Sequence, residues 1–207
     1  MERKFVDEVF ATKTPEGQRE IYDAWSASYE QEIFGKGYRT PAIIAAAFAR
    51  LVPLGAGPIL DAGCGGGLQA EPLAALGYGP LIGIDISPGM LSVARAKGIY
   101  SELREMPLDE NLPFDDHSFA ALISAGVLSP GQAPASTLPA LARVVRPGGF
   151  CVFSLRCGDR TSPEYGQVCQ GLADAGIWDL ALETGPFQVM PVGEPDGYHE
   201  VRAYRVR

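Results

Sequence analysis

The 207-residue sequence has few basic residues, and they form no cluster. Seventeen Lys and Arg stand against 25 Asp and Glu, so the formal net charge is −8. Proteins that bind nucleic acids or anionic membranes draw much of their affinity from Lys and Arg, so we expect neither partner. No apolar run approaches the ~20 residues that span a bilayer, and no apolar leader follows the charged start at residues 1–4. These absences predict a soluble, unexported protein.

Cysteine and histidine are also scarce. The four cysteines at positions 64, 151, 157 and 169 form no CxxC pair, and there are only two histidines. A zinc site needs a closely spaced set of such ligands, and a disulfide framework needs paired cysteines. The sequence therefore predicts no metal and a reduced, cytoplasmic protein. Its length suits one α/β domain that buries ~70% of its unfolded surface.

What the sequence does contain is a glycine-rich loop between two short apolar runs. Residues 59–67 read Ile-Leu-Asp-Ala-Gly-Cys-Gly-Gly-Gly, and a second apolar run, residues 81–84, ends at Asp85. Short apolar runs bounded by glycine and proline are typical of buried strands, and residues 68–76 have helical spacing. A strand, a glycine loop, a helix and a second strand ending in an acid form the first unit of a nucleotide-binding sheet.

The charge of the loop indicates which nucleotide it binds. In dinucleotide-binding proteins the pyrophosphate approaches the helix that follows the loop, and a carboxylate beside it would repel that group. Here Asp61 begins the loop, and Leu68 occupies a position where the dinucleotide pattern has glycine. S-adenosylmethionine carries no phosphate but has a cationic ammonium and sulfonium, which an acid favours. Asp85 can accept hydrogen bonds from a ribose in either ligand, so it does not discriminate between them.

The remaining pattern predicts alternating helices and strands. Ser87-Pro88 is a typical helix start, and Arg146-Pro147-Gly148-Gly149 marks a helix-to-strand joint. The last two apolar runs alternate in polarity, as in an antiparallel hairpin. Helices are predicted near 16–32, 41–52, 68–77, 88–97, 135–146 and 163–176. Strands are predicted near 58–62, 81–85, 100–104, 119–124, 149–155, 186–192 and 199–206.

Four segments in order resemble the motifs of class I S-adenosylmethionine-dependent methyltransferases. They are residues 60–67, residues 83–91, Leu112-Pro113-Phe114 before Phe119, and residues 146–149. Within that superfamily, residues 22–29, 97–100 and 126–132 look most like the Williams–Beuren syndrome region methyltransferase-like proteins. The resemblance implies an α/β, Rossmann-like sheet of seven strands in the order 3-2-1-4-5-7-6. Strand 7 would be antiparallel, with helices on both faces of the sheet.

The resemblance also implies a single domain and a set of site residues. Residues 1–40 would form an N-terminal helical lid and residues 41–207 the Rossmann-like core. S-adenosylmethionine would be the cofactor and S-adenosylhomocysteine the product. The methionine part would be held by Asp61, Gly63, Gly65 and Gly67, the ribose by Asp85, and the ammonium by the backbone carbonyl of Ala125. The adenine would lie against Ile86, Met90, and Met106 or Leu108.

Aromatic residues on the predicted lid form a further group of candidates. Tyr22, Trp25 and Tyr29 recur at spacings of three and four, which predicts one face of a helix. An aromatic stripe can also belong to a core. In similar methyltransferases this segment covers the cofactor, so Tyr29 would hydrogen-bond the methionine carboxylate and Trp25 would contact the sulfonium. Arg156 and Tyr165, near the loop after strand 5, are the candidate acceptor-binding residues.

The sequence thus predicts methyl transfer to a small-molecule acceptor by in-line displacement. No catalytic base is identified, and the family's usual acid at the start of strand 4 is replaced by Ala120. A non-catalytic S-adenosylmethionine-binding protein is therefore one alternative. An NAD-dependent oxidoreductase is the other, disfavoured by Asp61 and Leu68. The acceptor and the oligomeric state are not indicated.

Overall fold

A computed structural model describes residues 5–12, 14–157 and 162–207 of the chain. These residues form a mixed sheet of eight strands with helices packed around it. The parallel strands are β1 (Ile59–Ala62), β2 (Leu81–Asp85), β3 (Glu102–Glu105), β4 (Phe119–Ser124) and β5 (Val145–Cys157). Strand β8 (Glu194–Val206) runs antiparallel to β5, and β6 (Trp178–Glu183) and β7 (Phe187–Met190) each pair antiparallel with β8. Their order in the sheet is β3-β2-β1-β4-β5-β8-β6, and β7 pairs with β8 beside this path.

Helices precede, connect and flank the strands. A short 3-10 helix, Ala135–Thr137, comes before the seventh α-helix. Across the described residues, none of the helices combines the length and apolar character that a bilayer crossing requires. The α-helices are α1 (Phe5–Ala11), α2 (Pro15–Trp25), α3 (Tyr29–Gly35), α4 (Thr40–Leu51), α5 (Ala70–Ala75), α6 (Pro88–Ala96), α7 (Leu138–Val144) and α8 (Pro163–Asp174).

The central strands are buried on both faces, which explains their continuous apolar sequence. Every residue of β1 and β4 is buried. Successive side chains of β1 enter different clusters: Leu60 packs in the cluster that contains α7 and Trp178, and Ile59 packs in the one that contains α4 and α5. This alternation places helices on both faces of the sheet. The predicted Rossmann-like α/β class is therefore confirmed.

The predicted antiparallel strand near 199–206 is confirmed as β8, but the sheet has eight strands instead of seven, and the predicted position of the strand at its outer edge is wrong. The strand beyond β8 on the main path is β6, at residues 178–183, and not the run at 186–192. Trp178 is fully buried and stacks on Tyr204 with ring centroids 4.3 Å apart. Burial of this large ring holds β6 against the C-terminal half of β8. The later run forms β7, which pairs only with the N-terminal half of β8.

The predicted helix over residues 16–32 is two helices. Helix α2 ends at Trp25, and α3 begins at Tyr29 after a turn that contains Ser26 and Ser28. The Ser26 hydroxyl donates a hydrogen bond to the carbonyl of Asp23 at 2.8 Å. Serine side chains compete in this way for backbone groups and favour helix ends over helix interiors. Helix α1 was not predicted, and residues 1–4 and 13 of the predicted lid lie outside the described part of the chain.

Candidate active site

A cavity of about 590 Å³ opens at the carboxyl ends of β1, β2 and β4. One side is formed by the loops that follow these strands and β3, and the other by residues of α2, α3 and the segment that leads to α4. Open α/β sheets bind ligands at this edge, where neighbouring connections leave the sheet on opposite faces. We call this space the main cavity. It is lined by Tyr22, Tyr29, Tyr38, Gly63, Cys64, Gly65, Gly66, Gln69, Asp85, Ile86, Met90, Met106, Leu108, Ala125, Gly126, Val127 and Gln132, among others.

Asp85 joins two loops of the main cavity. Its Oδ2 accepts a hydrogen bond from the Gly65 amide at 2.8 Å, and its Oδ1 accepts one from the Ser87 amide at 2.9 Å. Burial raises the pKa of this carboxyl, and the backbone donors at Ser87 and Gly65 lower it in part. Asp85 therefore holds the glycine loop after β1 against the end of β2 and also contributes a carboxylate to the cavity wall.

The glycines of the loop have different structural roles. Gly63, Gly65 and Gly67 all have positive φ angles, of 72°, 51° and 95°, which favour glycine. A Cβ at Gly63 would lie 2.5 Å from Val127, and one at Gly67 would lie 3.0 Å from the Tyr100 ring. A Cβ at Gly65 would meet no atom within 4 Å. Gly65 therefore borders open space in the cavity, whereas Gly67 is required for packing.

Asp61 lies behind the loop and is not part of the cavity lining. It is fully buried, and its two oxygens accept hydrogen bonds from the Tyr100 hydroxyl at 2.6 Å and the Gln69 amide at 2.7 Å. Gln69 also donates to the carbonyls of Gly63 and Cys64 at 3.4 and 3.3 Å. Desolvation raises the pKa of Asp61 to about 7, although these two donors lower it. The acid thus organises the loop through Gln69.

An apolar wall faces the glycine loop. It contains all the residues that the sequence assigned to the adenine, which are Ile86, Met90, Met106 and Leu108. Met90 is in the first turn of α6, where the Ser87 hydroxyl accepts a hydrogen bond from its amide at 3.0 Å and caps the helix. Ala125 follows β4 and also lines the cavity. The predicted cap at Ser87 is confirmed by this geometry.

The three aromatic residues of the N-terminal segment pack together although they are divided between two helices. The ring centroids of Trp25 and Tyr29 are 4.7 Å apart, and Tyr22 lies 6.2 Å from each. Tyr22 and Tyr29 line the main cavity. Trp25 lines a smaller adjoining cavity instead. The Tyr22 hydroxyl donates to the side-chain oxygen of Gln132 at 3.0 Å, with the Gln132 amide nitrogen donating to the Gly126 carbonyl at 2.9 Å.

Polar contacts join the N-terminal helices to α6 and its C-terminal end. Asp23 of α2 accepts hydrogen bonds from the Ser87 hydroxyl and from the Gly89 amide, at 2.5 and 2.9 Å. Lys97 contacts Glu30 of α3 at 2.7 Å and Glu71 at 2.8 Å. The N-terminal helices are therefore attached to the core on the side where the main cavity lies.

The two candidate acceptor residues lie in different environments. Arg156 lines the smaller cavity, and its guanidinium lies 2.8 Å from Glu194. Tyr165 is buried, lines neither this cavity nor the main one, and donates a hydrogen bond from its hydroxyl to the Ala133 carbonyl at 2.7 Å. The structure therefore brings Arg156 and Trp25 together without Tyr165. The sequence assigns no role to Gln69, Tyr100 or Gln132. Tyr100 and Gln132 lie in segments that carry the closer family resemblance, but no local pattern indicates which groups they contact.

Comparisons with known proteins agree with this geometry. The family model described as "Methyltransferase domain" matches residues 60–153. "Methyltransferase-like protein 27" of Homo sapiens is 35% identical over 169 residues, which cover 77% of this chain and 67% of that protein. "Ubiquinone biosynthesis O-methyltransferase" of Alkalilimnicola ehrlichii is 40% identical over 100 residues. This match covers 46% of the chain and 40% of the bacterial enzyme.

The solved structures agree with the fold. A TehB-like S-adenosylmethionine-dependent methyltransferase of Corynebacterium glutamicum superposes with a TM-score of 0.63 at 21% identity. The superposition covers 89% of this chain and 99% of that one. At this identity the likeness concerns the fold alone.

Proposed function

Because the chain belongs to the class I S-adenosylmethionine-dependent methyltransferases, we propose that its main cavity binds the cofactor and presents it to a small-molecule acceptor. The observation that carries this proposal is the pairing of Gly65 with Asp85. An open space borders Gly65, and a buried carboxylate lies beside it. Among nucleotide-type ligands, this arrangement suits a neutral ribose next to a cationic amino-acid part.

The residues around this pair fit the remaining parts of the cofactor. Asp85 would accept hydrogen bonds from the ribose hydroxyls, while the backbone of Gly63 and Gly65 would lie against the methionine part. The carbonyl of Ala125 would accept a hydrogen bond from the ammonium, and the phenol of Tyr29 would donate one to the carboxylate. Asp61 and Gly67 would act indirectly, by holding the loop in this shape. The adenine would contact Ile86, Met90, Met106 and Leu108.

The chain's own contribution to the reaction is chiefly positioning. When bound, the cofactor supplies a methyl group that its sulfonium has already activated. The acceptor must then be held in line at about 3 Å, and such orientation can supply roughly 7–11 kcal/mol of the barrier. The N-terminal helices, attached through Asp23 and Lys97, would exclude water from that contact. Trp25 borders the adjoining cavity, from which the acceptor would approach.

Several observations support a small acceptor over a polymer. The N-terminal segment forms one side of the main cavity, so the site is a cleft of bounded volume and not an extended groove. The net charge of −8 offers nucleic acids little attraction. The partly matching relatives named for ubiquinone biosynthesis act, by name, as O-methyltransferases in the synthesis of a small molecule. We also propose a cytoplasmic location, since the four cysteines are free thiols.

The proposal is tested by combining a binding and a transfer experiment. Calorimetry should show S-adenosylhomocysteine binding and no NAD binding by the wild-type chain. Transfer of a radioactive methyl group should then be measured on a broad metabolite panel and, separately, on bulk RNA and protein. Turnover on a metabolite is the expected result. Turnover only on polymers would overturn the small-molecule assignment, and binding without turnover on any acceptor would favour a non-catalytic binding protein.

A further inference from the structure

The smaller cavity, which we call the side chamber, adjoins the main cavity. Its volume is about 90 Å³. The two cavities share several lining residues, so a ligand in one would lie beside a ligand in the other. The shared residues are Tyr22, Tyr29, Tyr38, Gly126 and Gln132. The side chamber therefore lies next to the proposed cofactor site.

The walls of the side chamber are mostly aromatic and aliphatic. Trp25 and Tyr29 form one part, and Ile33, Val189 and Met190 form another. An apolar cavity of about 150 Å³ accepts a benzene molecule, so the smaller side chamber limits its occupant to one ring at most. Such a ring would extend past the shared residues into the main cavity. Aromatic walls favour a flat partner because rings stack or meet edge to face. Size and lining thus indicate a single aromatic ring.

Two buried polar atoms in these walls have no hydrogen-bond partner among the described residues. They are Nε1 of Trp25 and Nδ1 of His199. Trp25 is only 3% exposed, so bulk water does not satisfy its N–H group. An unsatisfied buried polar group destabilises the folded chain, and a ligand group that bonds to it recovers that cost. Both residues line the same chamber, so a ligand that occupies it would lie beside both side chains.

The chemistry of these two atoms indicates a hydroxyl group. Trp Nε1 is only a donor, so its partner must present an acceptor oxygen. Burial, together with the Arg156 guanidinium, lowers the pKa of His199 to about 4, so the ring is neutral at physiological pH. Nδ1 of a neutral imidazole donates or accepts according to tautomer, and a hydroxyl group can complement either. Hydroxyl oxygens therefore satisfy both atoms.

The charged groups of the chamber neutralise one another. Arg156 pairs with Glu194 at 2.8 Å, and these side chains are only 11% and 19% exposed. Arg156 faces His199 directly across the β5–β8 pairing. Because the guanidinium already has a carboxylate partner, a second carboxylate from a ligand would compete with Glu194. The chamber is thus matched to an uncharged ligand.

We propose that the side chamber is the methyl-acceptor subsite and that it takes a neutral hydroxylated aromatic ring held by hydrogen bonds to His199 and Trp25. This inference rests on the proposed function, since it supplies the acceptor for that site. It makes His199 and Trp25 substrate-binding residues that determine specificity.

The test is a titration with catechol, followed by nuclear magnetic resonance of the two indole N–H groups, with S-adenosylhomocysteine present. The Trp25 signal should shift as catechol is added. The Trp178 signal should stay in place, because this indole is fully buried and donates to the Cys169 carbonyl at 3.0 Å. Two probes of similar shape serve as comparisons: o-xylene, which lacks hydroxyl groups, and salicylate, which carries a negative charge. Both should bind at least several-fold more weakly than catechol.

Substitutions test whether His199 and Trp25 contact catechol. His199→Leu should weaken catechol binding about tenfold, as expected for one lost hydrogen bond, and His199→Gln should recover part of that loss. Trp25→Phe identifies the Trp25 signal and should also weaken binding. Tyr198→Phe is the matched control, since Tyr198 is the preceding residue of the same strand and projects from the opposite face. Unchanged affinity for S-adenosylhomocysteine in the His199 variants will show that they are folded.

The outcomes separate this inference from the proposed function. If S-adenosylhomocysteine binds but catechol leaves the Trp25 signal unmoved, the side-chamber assignment is wrong and the cofactor site stands. The same conclusion follows if o-xylene binds as tightly as catechol, or if salicylate binds more tightly. If S-adenosylhomocysteine itself does not bind, both proposals fail.

Discussion

The side chain of Asp23 lies at the N-terminus of α6, where its Oδ1 accepts hydrogen bonds from the Ser87 hydroxyl at 2.5 Å and from the Gly89 amide at 2.9 Å. Ser87 is itself the cap of that helix. One carboxylate therefore links the N-terminal helices to the strand–helix joint that also contains Asp85. An acidic group at a helix N-terminus is favoured by the helix dipole as well. This contact attaches α2 beside the main cavity.

We predict that Asp23→Ala loosens this attachment. The loss of two hydrogen bonds should weaken docking of α2 by roughly 1–3 kcal/mol. Amide hydrogen exchange in residues 15–35 should accelerate, and S-adenosylhomocysteine affinity should fall. Glu20→Ala is the matched control, because Glu20 is exposed on the same helix. Equal exchange in wild type and Asp23→Ala would show that apolar packing alone holds the segment.

The N-terminal segment should also respond to the cofactor. If it covers the bound ligand, S-adenosylhomocysteine should slow amide exchange in residues 16–38 and alter Trp25 fluorescence. Measurement in Trp178→Phe would confine the fluorescence signal to Trp25. Identical exchange rates with and without the ligand would place Tyr22, Trp25 and Tyr29 in a permanent core.

Gly65→Val should abolish cofactor binding. The new side chain would enter the open space beside Gly65. It would also be strained at a φ of 51°, at a cost of about 1–2 kcal/mol. Gly55→Val controls for the strain, because Gly55 has a φ of 74°, is likewise unobstructed and lies outside the main-cavity lining. Both variants should lose similar stability, and calorimetry should detect lost binding only for Gly65→Val. Retained binding there would contradict the proposed site.

Asp85→Asn should lower S-adenosylhomocysteine affinity at least tenfold. The amide cannot accept from both backbone donors, so its NH₂ would face either the Gly65 or the Ser87 N–H group. That buried N–H would then lose its partner, which costs about 1–3 kcal/mol. Calorimetry should show the loss together with a lower melting temperature. Wild-type affinity in this variant would remove Asp85 from the ribose site.

Asp61 should make stability depend on pH. Its pKa is about 7 in the folded chain and 3.8 as the ordinary value, so between these values the folded state binds a proton that the unfolded state lacks. The contribution of Asp61 to the free energy of unfolding is therefore full below pH 4 and is lost as the pH rises through 7. Each pKa unit corresponds to about 1.4 kcal/mol.

Asp61→Asn removes this titration while keeping the shape of the side chain. The free energy of unfolding should be measured with urea at pH 5 and at pH 8. Between these two pH values it should fall by a few kcal/mol more in the wild type than in Asp61→Asn. If the difference between the two proteins is the same at both pH values, Asp61 is ionised throughout and its pKa is not raised.

Local sequence patterns predicted much of the secondary structure around the candidate site. The β1–loop–β2 unit follows from short apolar runs joined by glycine, and the Ser87 cap follows from Ser-Pro before a helical pattern. In the candidate site, Gly63, Gly65, Asp85 and the residues that the sequence assigned to the adenine all line the main cavity, since they lie at the ends of strands or within a few residues of them. Such features depend on neighbours within a few positions in sequence.

What the sequence by itself determined is therefore the class of fold, the edge of the sheet that carries the cavity, and the family. The tertiary structure decided which way each polar group faces and which distant groups meet. Asp61 faces away from the cavity because Tyr100 and Gln69 hold it there. His199 joins Trp25 only because β8 pairs with β5 and β7 beneath the N-terminal helices. Burial and hydrogen bonding between residues far apart in the chain set these positions, and no local periodicity encodes them.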